Sequence, residues 1–160
     1  MAALIVTDAA IHMAATKYAV DPDLLAAICH VESDRNPWAM RYEPQYPYIV
    51  GDHLSATELI GQKTSYGCTQ VMGAVARELG FSGKYLSELC DPAIGLEYGA
   101  AHLANHFMRW KSWEAAVSAY NQGSPRRRPT GEFINQEYVD KVTTEWKRLK
   151  ALRPVSGGGN

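Results

Sequence analysis

The feature that most constrains this chain is a short segment, residues 21–37, bracketed by two prolines. Asp21-Pro22 reads as a helix start: a carboxylate able to cap free backbone N–H groups, then a ring whose fixed φ suits the first helical position. Asn36-Pro37 reads as a stop, because the residue before proline is driven out of the helical region. Between them Leu24, Leu25, Ile28 and Val31 recur at helical spacing, with Ala26 and Ala27 adding no polarity. A helix is therefore predicted over residues 23–33, with these side chains turned toward a core. Its last turn carries Glu32. A carboxylate there meets the negative end of the helix dipole and apolar neighbours, and both favour its protonated form. An acid that keeps its proton near neutral pH is what a glycosidic oxygen needs as a proton donor. The competing reading is an exposed glutamate at a fraying helix end.

Most of the remaining chain also reads as helix. Thr7 can cap a first helix to about Tyr18, with Ile11, Ala14, Ala15 and Tyr18 on one face. Ser55-Ala56-Thr57-Glu58 has the spacing of a capping box ahead of a short helix. Helical periodicity resumes near Val71 and ends at Gly80. Asp91-Pro92 repeats the cap-plus-proline device and opens a long helix to about Trp110. Two more helices are predicted over residues 113–121 and about 135–152. Residues 38–64 break the pattern: Tyr42, Pro44, Tyr46, Pro47, Tyr48, Gly51 and His53 suggest an irregular aromatic loop with a short extended pair. No repeat or linker divides the chain, so one domain is expected over residues 1–153, with a flexible tail at 154–160.

Composition sets outer bounds. With 160 residues, 46% of them hydrophobic, the chain can build a sizeable core. A formal net charge of −1 argues against nucleic acid as a partner. The charge is uneven, with 7 basic against 12 acidic side chains over residues 1–109 and 9 against 5 over 110–160. Lys147, Arg148, Lys150 and Arg153 suit the C-terminal end of a helix. No apolar run approaches the roughly 20 residues of a membrane span, so membrane insertion is not expected. Leu4-Ile5-Val6 has no basic flank before it and is cut off by Asp8, so no secretory signal peptide is expected. Cys29, Cys68 and Cys90 fit no zinc template and are expected as buried reduced thiols, with one bridge left open. Cys68 with His30 or His53 offers a thiol nucleophile only without an orienting asparagine or an oxyanion hole. His102 and His106 have metal-pair spacing but no third ligand; they are expected to face solvent, and no metal or cofactor is expected. Arg126-Arg127-Arg128 is expected as a solvated turn.

Four motifs in order carry a resemblance. Val31-Glu32-Ser33 is followed by Asn36-Pro37 and Ala39, and then by Ser65-Tyr66-Gly67-Cys68-Thr69-Gln70-Val71-Met72. Ala119-Tyr120-Asn121-Gln122-Gly123 and the pair Tyr138-Val139 complete the set. Together they resemble the soluble lytic transglycosylase family, whose lysozyme-like fold is shared with goose-type lysozymes. The resemblance implies a mainly helical, α+β lysozyme-like domain, a helical bundle around a glycan cleft with an irregular or short β segment near 40–64. It makes Glu32 the catalytic acid and then base, with Ser33 beside it. Ser65 and Gln70 would line the sugar cleft, Tyr120 and Asn121 would hold substrate, and Tyr138 would hydrogen-bond the Glu32 carboxyl. Tyr42 and Tyr48, in the aromatic segment, are candidates for gripping sugar from a roof over the cleft. Cys68 and Thr69 stand where the family has Leu-Met, which implies a smaller and more polar cleft wall.

The activity implied is cleavage of the β-1,4 bond between N-acetylmuramic acid and N-acetylglucosamine in peptidoglycan, with ring closure to 1,6-anhydromuramic acid. One rival is a muramidase, which would need a second carboxylate such as Glu43, Asp52 or Glu58. Another is a non-catalytic wall-binding or assembly protein. The expected partner is a peptidoglycan glycan strand met by a monomer, and the expected setting is a phage-type lysin made in the cytoplasm and acting at the cell wall.

Overall fold

The computed structural model describes residues 6–153. Helices α1 (Asp8–Lys17) and α2 (Pro22–Ser33) begin at side-chain caps. Thr7 Oγ1 accepts from the Ala10 N–H at 3.3 Å, and Asp21 Oδ1 from the Asp23 N–H at 2.9 Å. Every residue from Leu24 to Cys29 is buried, so the middle of α2 is enclosed on all sides rather than along one face. Helix α1 packs against it from one side and α7 (Gln136–Leu152) from another. Helices α5 (Pro92–Trp110) and α6 (Trp113–Gln122) complete the larger core, around Ile11, Leu24, Ile28, Leu96, Leu103, Val117 and Val142.

A smaller core of Tyr66, Val71, Phe81, Leu86 and Leu89 underlies the remaining elements. These are α3 (Ala56–Gln62), α4 (Gly73–Glu78), a 3-10 turn at Leu86–Cys90 and a three-stranded antiparallel sheet. Strands β1 (Met40–Tyr42), β2 (Thr64–Tyr66) and β3 (Val71–Met72) lie in that order, with Arg41 opposite Ser65 and Ser65 opposite Met72. The helix expected from Val71 therefore starts two residues later. The turn before β3 needs left-handed backbone at Gly67 (φ +70°) and Gln70 (φ +50°), and it folds Val71 and Met72 back onto β2. Strand pairing decides there, and strands this short leave no periodicity to read. The whole is the mainly helical α+β arrangement expected of a lysozyme-like domain.

The 43–55 segment is held by specific bonds. The Glu43 N–H donates to Lys63 O at 2.7 Å. Gln62, 1% exposed, accepts from the Val50 N–H at 2.7 Å and donates to Val50 O at 2.9 Å. Ser55 caps α3 through the Glu58 N–H at 3.1 Å, but the reciprocal half of the capping box is absent. Glu58 instead receives Arg77 Nε at 2.8 Å and Nη2 at 3.0 Å. The expected tail, 154–160, lies outside the described residues. Among the described residues, no helix is long and apolar enough to cross a membrane.

The two cores meet where Thr69 packs on α5. Thr69 is fully buried, its Oγ1 donates to Gly95 O at 3.2 Å, and a Cβ on Gly99 would lie 2.5–2.6 Å from three of its side-chain atoms. Gly99→Ala should therefore destabilise the protein by about 2 kcal/mol in denaturant unfolding, the scale of overpacking a close-packed site. A loss below about 0.5 kcal/mol would show that this contact yields freely.

Candidate active site

Helix α2 stops abruptly after its last turn. Asp34 (φ +53°) and Arg35 (φ +61°) are both left-handed, and their N–H groups close the helix onto His30 O and Cys29 O, at 3.0 Å each. This stop leaves Glu32 half-buried at the edge of the larger core, facing a groove built of three adjoining cavities. Glu32 lines two of them, of about 330 and 630 Å³. The third, about 320 Å³, continues from the first through Tyr46, Gln70, Met72 and Tyr120. Asn121 borders all three.

Tyr138, on α7, donates its hydroxyl proton to Glu32 Oε1 at 2.6 Å, across 106 positions of sequence. Burial raises the Glu32 pKa above the usual carboxylate range, opposed by the Tyr138 hydrogen bond and the positive charge of Arg41. Burial, reinforced by the nearby Glu32 charge, pushes the Tyr138 phenol well above its usual range, so it remains a donor. Tyr120 is held the same way, with its hydroxyl on Thr69 O at 2.7 Å.

The floor of the groove is a bonded set. Ser65 Oγ donates to Gln70 Oε1 at 2.9 Å, and Gln70 Nε2 donates to Ala39 O at 3.0 Å and Gly67 O at 2.9 Å. Both residues line the 330 Å³ cavity, with Tyr120 and Asn121. Asn121 Oδ1 accepts from Asn135 Nδ2 at 2.9 Å, which ties the end of α6 to the start of α7.

Not every expected residue arrives there. Ser33 neighbours Glu32 in sequence but turns inward, donating to Cys29 O at 3.3 Å and Cys68 O at 2.9 Å, and it lines none of the three cavities. Tyr42 also lines none, and it is exposed on β1. Strand alternation explains this, because Arg41 lines the groove and its neighbour must point the other way. Tyr48 borders the third cavity, packed edge-on against Tyr46 with centroids 5.7 Å apart. Cys68 and Thr69 form no cleft wall, since both side chains are buried in the core and line none of the cavities. His102 and His106 are partly buried rather than solvent-facing, and His102 borders the third cavity. Burial pushes the His102 pKa down to about 3, its ring packs 4.9 Å from Tyr120, and His106 Nε2 is buried without a partner. Among the described residues, no group of three His, Cys, Asp or Glu could hold a metal ion.

Sequence reasoning missed Arg41, Gln45, Tyr46 and Met72 as lining residues, and it carried Glu43 only as a possible second carboxylate. The signal for Arg41 is its register: directly opposite Ser65, it shares that residue's face of the sheet. Of Glu43, Asp52 and Glu58, only Glu43 lines the cavity with Glu32, and it is paired to Arg41 at 2.5 Å.

A raised folded-state pKa means that ionising Glu32 works against folding. The penalty is absent below the unfolded carboxyl pKa and complete above the folded one. Glu32→Gln should therefore raise Tm at pH 7–8, with the gain shrinking toward pH 4. A variant less stable than wild type at pH 8 would contradict this reading of the carboxyl's surroundings.

Among curated proteins, none matches this chain. The four motifs supply an apolar helix ending in a half-buried carboxyl, an amide-lined groove beside it, and a phenol from the last helix bonded to it. Residues 9–137 match the family model of the transglycosylase SLT domain, and the chain belongs to that family of peptidoglycan lytic transglycosylases.

Proposed function

We propose that the protein cleaves the β-1,4 bond between N-acetylmuramic acid and N-acetylglucosamine, with Glu32 as its single acid–base residue. The observation that carries this is the half-buried Glu32 carboxyl, bonded by Tyr138 and lining both neighbouring cavities of the groove. A strand lying along the groove brings its bridging oxygen to this group. Glu32 gives its proton to that oxygen as the bond breaks, and the sugar's own N-acetyl oxygen stabilises the positive centre left behind. Glu32, now a carboxylate, takes the proton of the muramoyl C6 hydroxyl, whose oxygen closes on C1. The ring becomes 1,6-anhydromuramic acid, no water is consumed, and Glu32 regains its proton.

The surrounding residues have roles consistent with this cycle. Tyr138 stays protonated, so it can hold Oε1 through both halves and steady the carboxylate when the proton has left. Burial favours the neutral half, and Arg41, with the Tyr138 hydrogen bond, favours the charged half. Gln70, Ser65 and Asn121 present amides and a hydroxyl to sugar substituents, and Tyr46 and Tyr48 offer ring faces. We assign the catalytic unit to a single domain over residues 1–153.

One observation favours a second reading. Glu43 shares a cavity with Glu32 and could activate water, giving a muramidase. Its pairing with Arg41 argues for the anhydro route, and product mass decides. Transglycosylation yields muropeptides lighter than the hydrolytic product by one water, whereas reducing-end muramic acid would establish hydrolysis. Glu32→Gln should lower the rate on purified cell walls by at least ~10²-fold, the scale of a lost general acid. Wild-type clearing by that variant would remove Glu32 from the mechanism. Tyr138→Phe should cost less, about tenfold.

Arg41→Gln gives a separate check through pH. Losing the positive charge lets the Glu32 pKa rise further, so the basic limb of the kcat/KM profile should move to higher pH. A limb that stays in place or moves down would show that Arg41 does not act on this carboxyl.

A further inference from the structure

Cys29 and Cys68 have no part in the chemistry above, yet their sulfurs meet in the core. Their Sγ atoms lie 3.3 Å apart, with Cys29 0% and Cys68 2% exposed. Cys90, also buried, belongs to the smaller core. Cys29 stands three positions before Glu32 on α2. Cys68 sits in the turn that forms the floor, where its own carbonyl receives Ser33 and the next carbonyl receives Tyr120. Disulfide sulfurs are about 2.05 Å apart, so little more than an ångström of side-chain motion separates this pair from a bond.

We propose that Cys29 and Cys68 are a cystine-forming site whose redox state is set while the chain folds and is afterwards held by burial. The oxidant is a small-molecule disulfide such as oxidised glutathione. One cysteine thiolate attacks it, forming a mixed disulfide and releasing one glutathione thiolate. The second cysteine thiolate then attacks the protein sulfur of that mixed disulfide, closing the Cys29–Cys68 bond and expelling the second glutathione. Two protein thiols are oxidised, one glutathione disulfide is reduced to two thiols, and the two protons pass to the released thiolates.

In the folded protein both directions are blocked. Neither sulfur offers a surface to a glutathione molecule, and burial keeps the Cys29 thiol well above its usual pKa, away from the attacking thiolate form. The same packing shields a finished bond from reductants. A chain folded in a reducing compartment thus carries its thiols unchanged into an oxidising one.

The bond would close a loop from Cys29 to Cys68 that contains Glu32, Arg41, Tyr46 and Ser65, so that one wall of the groove is fastened to the helix bearing the carboxyl. Its effect falls mainly on the unfolded chain, whose freedom it limits. This inference does not depend on the proposed reaction.

Wild-type protein is unfolded and refolded in parallel, once with dithiothreitol and once with a mixture of oxidised and reduced glutathione. Oxidative refolding should leave one free thiol, lower the mass by ~2 Da, and give a peptide map in which Cys29 is joined to Cys68. Its Tm should exceed that of the dithiol form by roughly 5–15 °C. Native dithiol protein held in the same glutathione mixture should keep all three thiols for hours. Three thiols after oxidative refolding, or a bridge to Cys90, would overturn the site. Conversion of the native dithiol within minutes would overturn the trapping, and a linked form with no gain in Tm would overturn the fastening. Cys68→Ala, refolded oxidatively, should show two free thiols and no gain.

Discussion

The hydrogen bond between Tyr138 and Glu32 is the contact that ties the groove to the rest of the fold, because it forms only where α2 and α7 pack together. It joins the first half of the sequence to the last helix, at 2.6 Å across 106 positions. Helix α7 reaches that point by packing along α2, and the two are secured farther back by Trp146 Nε1 on Asp21 Oδ2 at 3.0 Å and by Arg153 Nε on Asp23 Oδ1 at 2.9 Å. The capping carboxylate of α2 is thus also an anchor for α7. One small region around residues 21–23 starts the central helix and fixes the helix that supplies the phenol. Any motion that separates α2 from α7 exposes the Glu32 carboxyl and removes its donor together, which couples the state of the site to the integrity of the larger core.

The elements that position this contact were legible in the sequence for a physical reason. Long helices with side-chain caps announce themselves through local bonds, and α1, α2, α5 and α6 begin at Thr7, Asp21, Asp91 and Ser112, each accepting from a nearby N–H. Asn135 is the instructive exception. It precedes α7 but makes no capping bond, because its amide is used by Ser118 and Asn121. The small lobe was less legible. Strands of two or three residues carry no periodicity, and the 3-10 turn at Leu86–Cys90 is shorter than a reading frame for helices.

Within the groove the boundary falls between neighbours. Ser33 follows Glu32, but successive helical residues diverge by about 100°, so one faces the groove and the other the core. Tyr42 follows Arg41 and diverges by the opposite alternation of a strand. Sequence adjacency to a reactive group is therefore poor evidence of membership, and register is good evidence, as Arg41 opposite Ser65 shows. His102 illustrates a different failure. Histidine on a helix reads as solvent-facing by composition, whereas here the ring fills space against Tyr120 and is kept neutral by the packing around it.

Among the described residues, three of the six non-glycine positions with left-handed φ lie beside the same site, the others being Ala19, His53 and Lys111. Of these, Asp34 and Arg35 end α2 two and three residues after Glu32, and Gln70 closes the floor turn. Left-handed backbone at a residue bearing Cβ costs on the order of 1–2 kcal/mol, and such positions persist only where surrounding bonds over-determine them. Those bonds are present: Arg35 is held by Asp8 and by the Val6 N–H, and the Gln70 side chain is bonded at both its oxygen and its nitrogen. The strain has a geometric purpose. A helix allowed to end gradually would carry the chain along its own axis and bury or fray the last turn. The abrupt reversal at Asp34 instead leaves the Glu32 carboxyl at the boundary of core and groove, where burial raises its pKa and two of the cavities reach it.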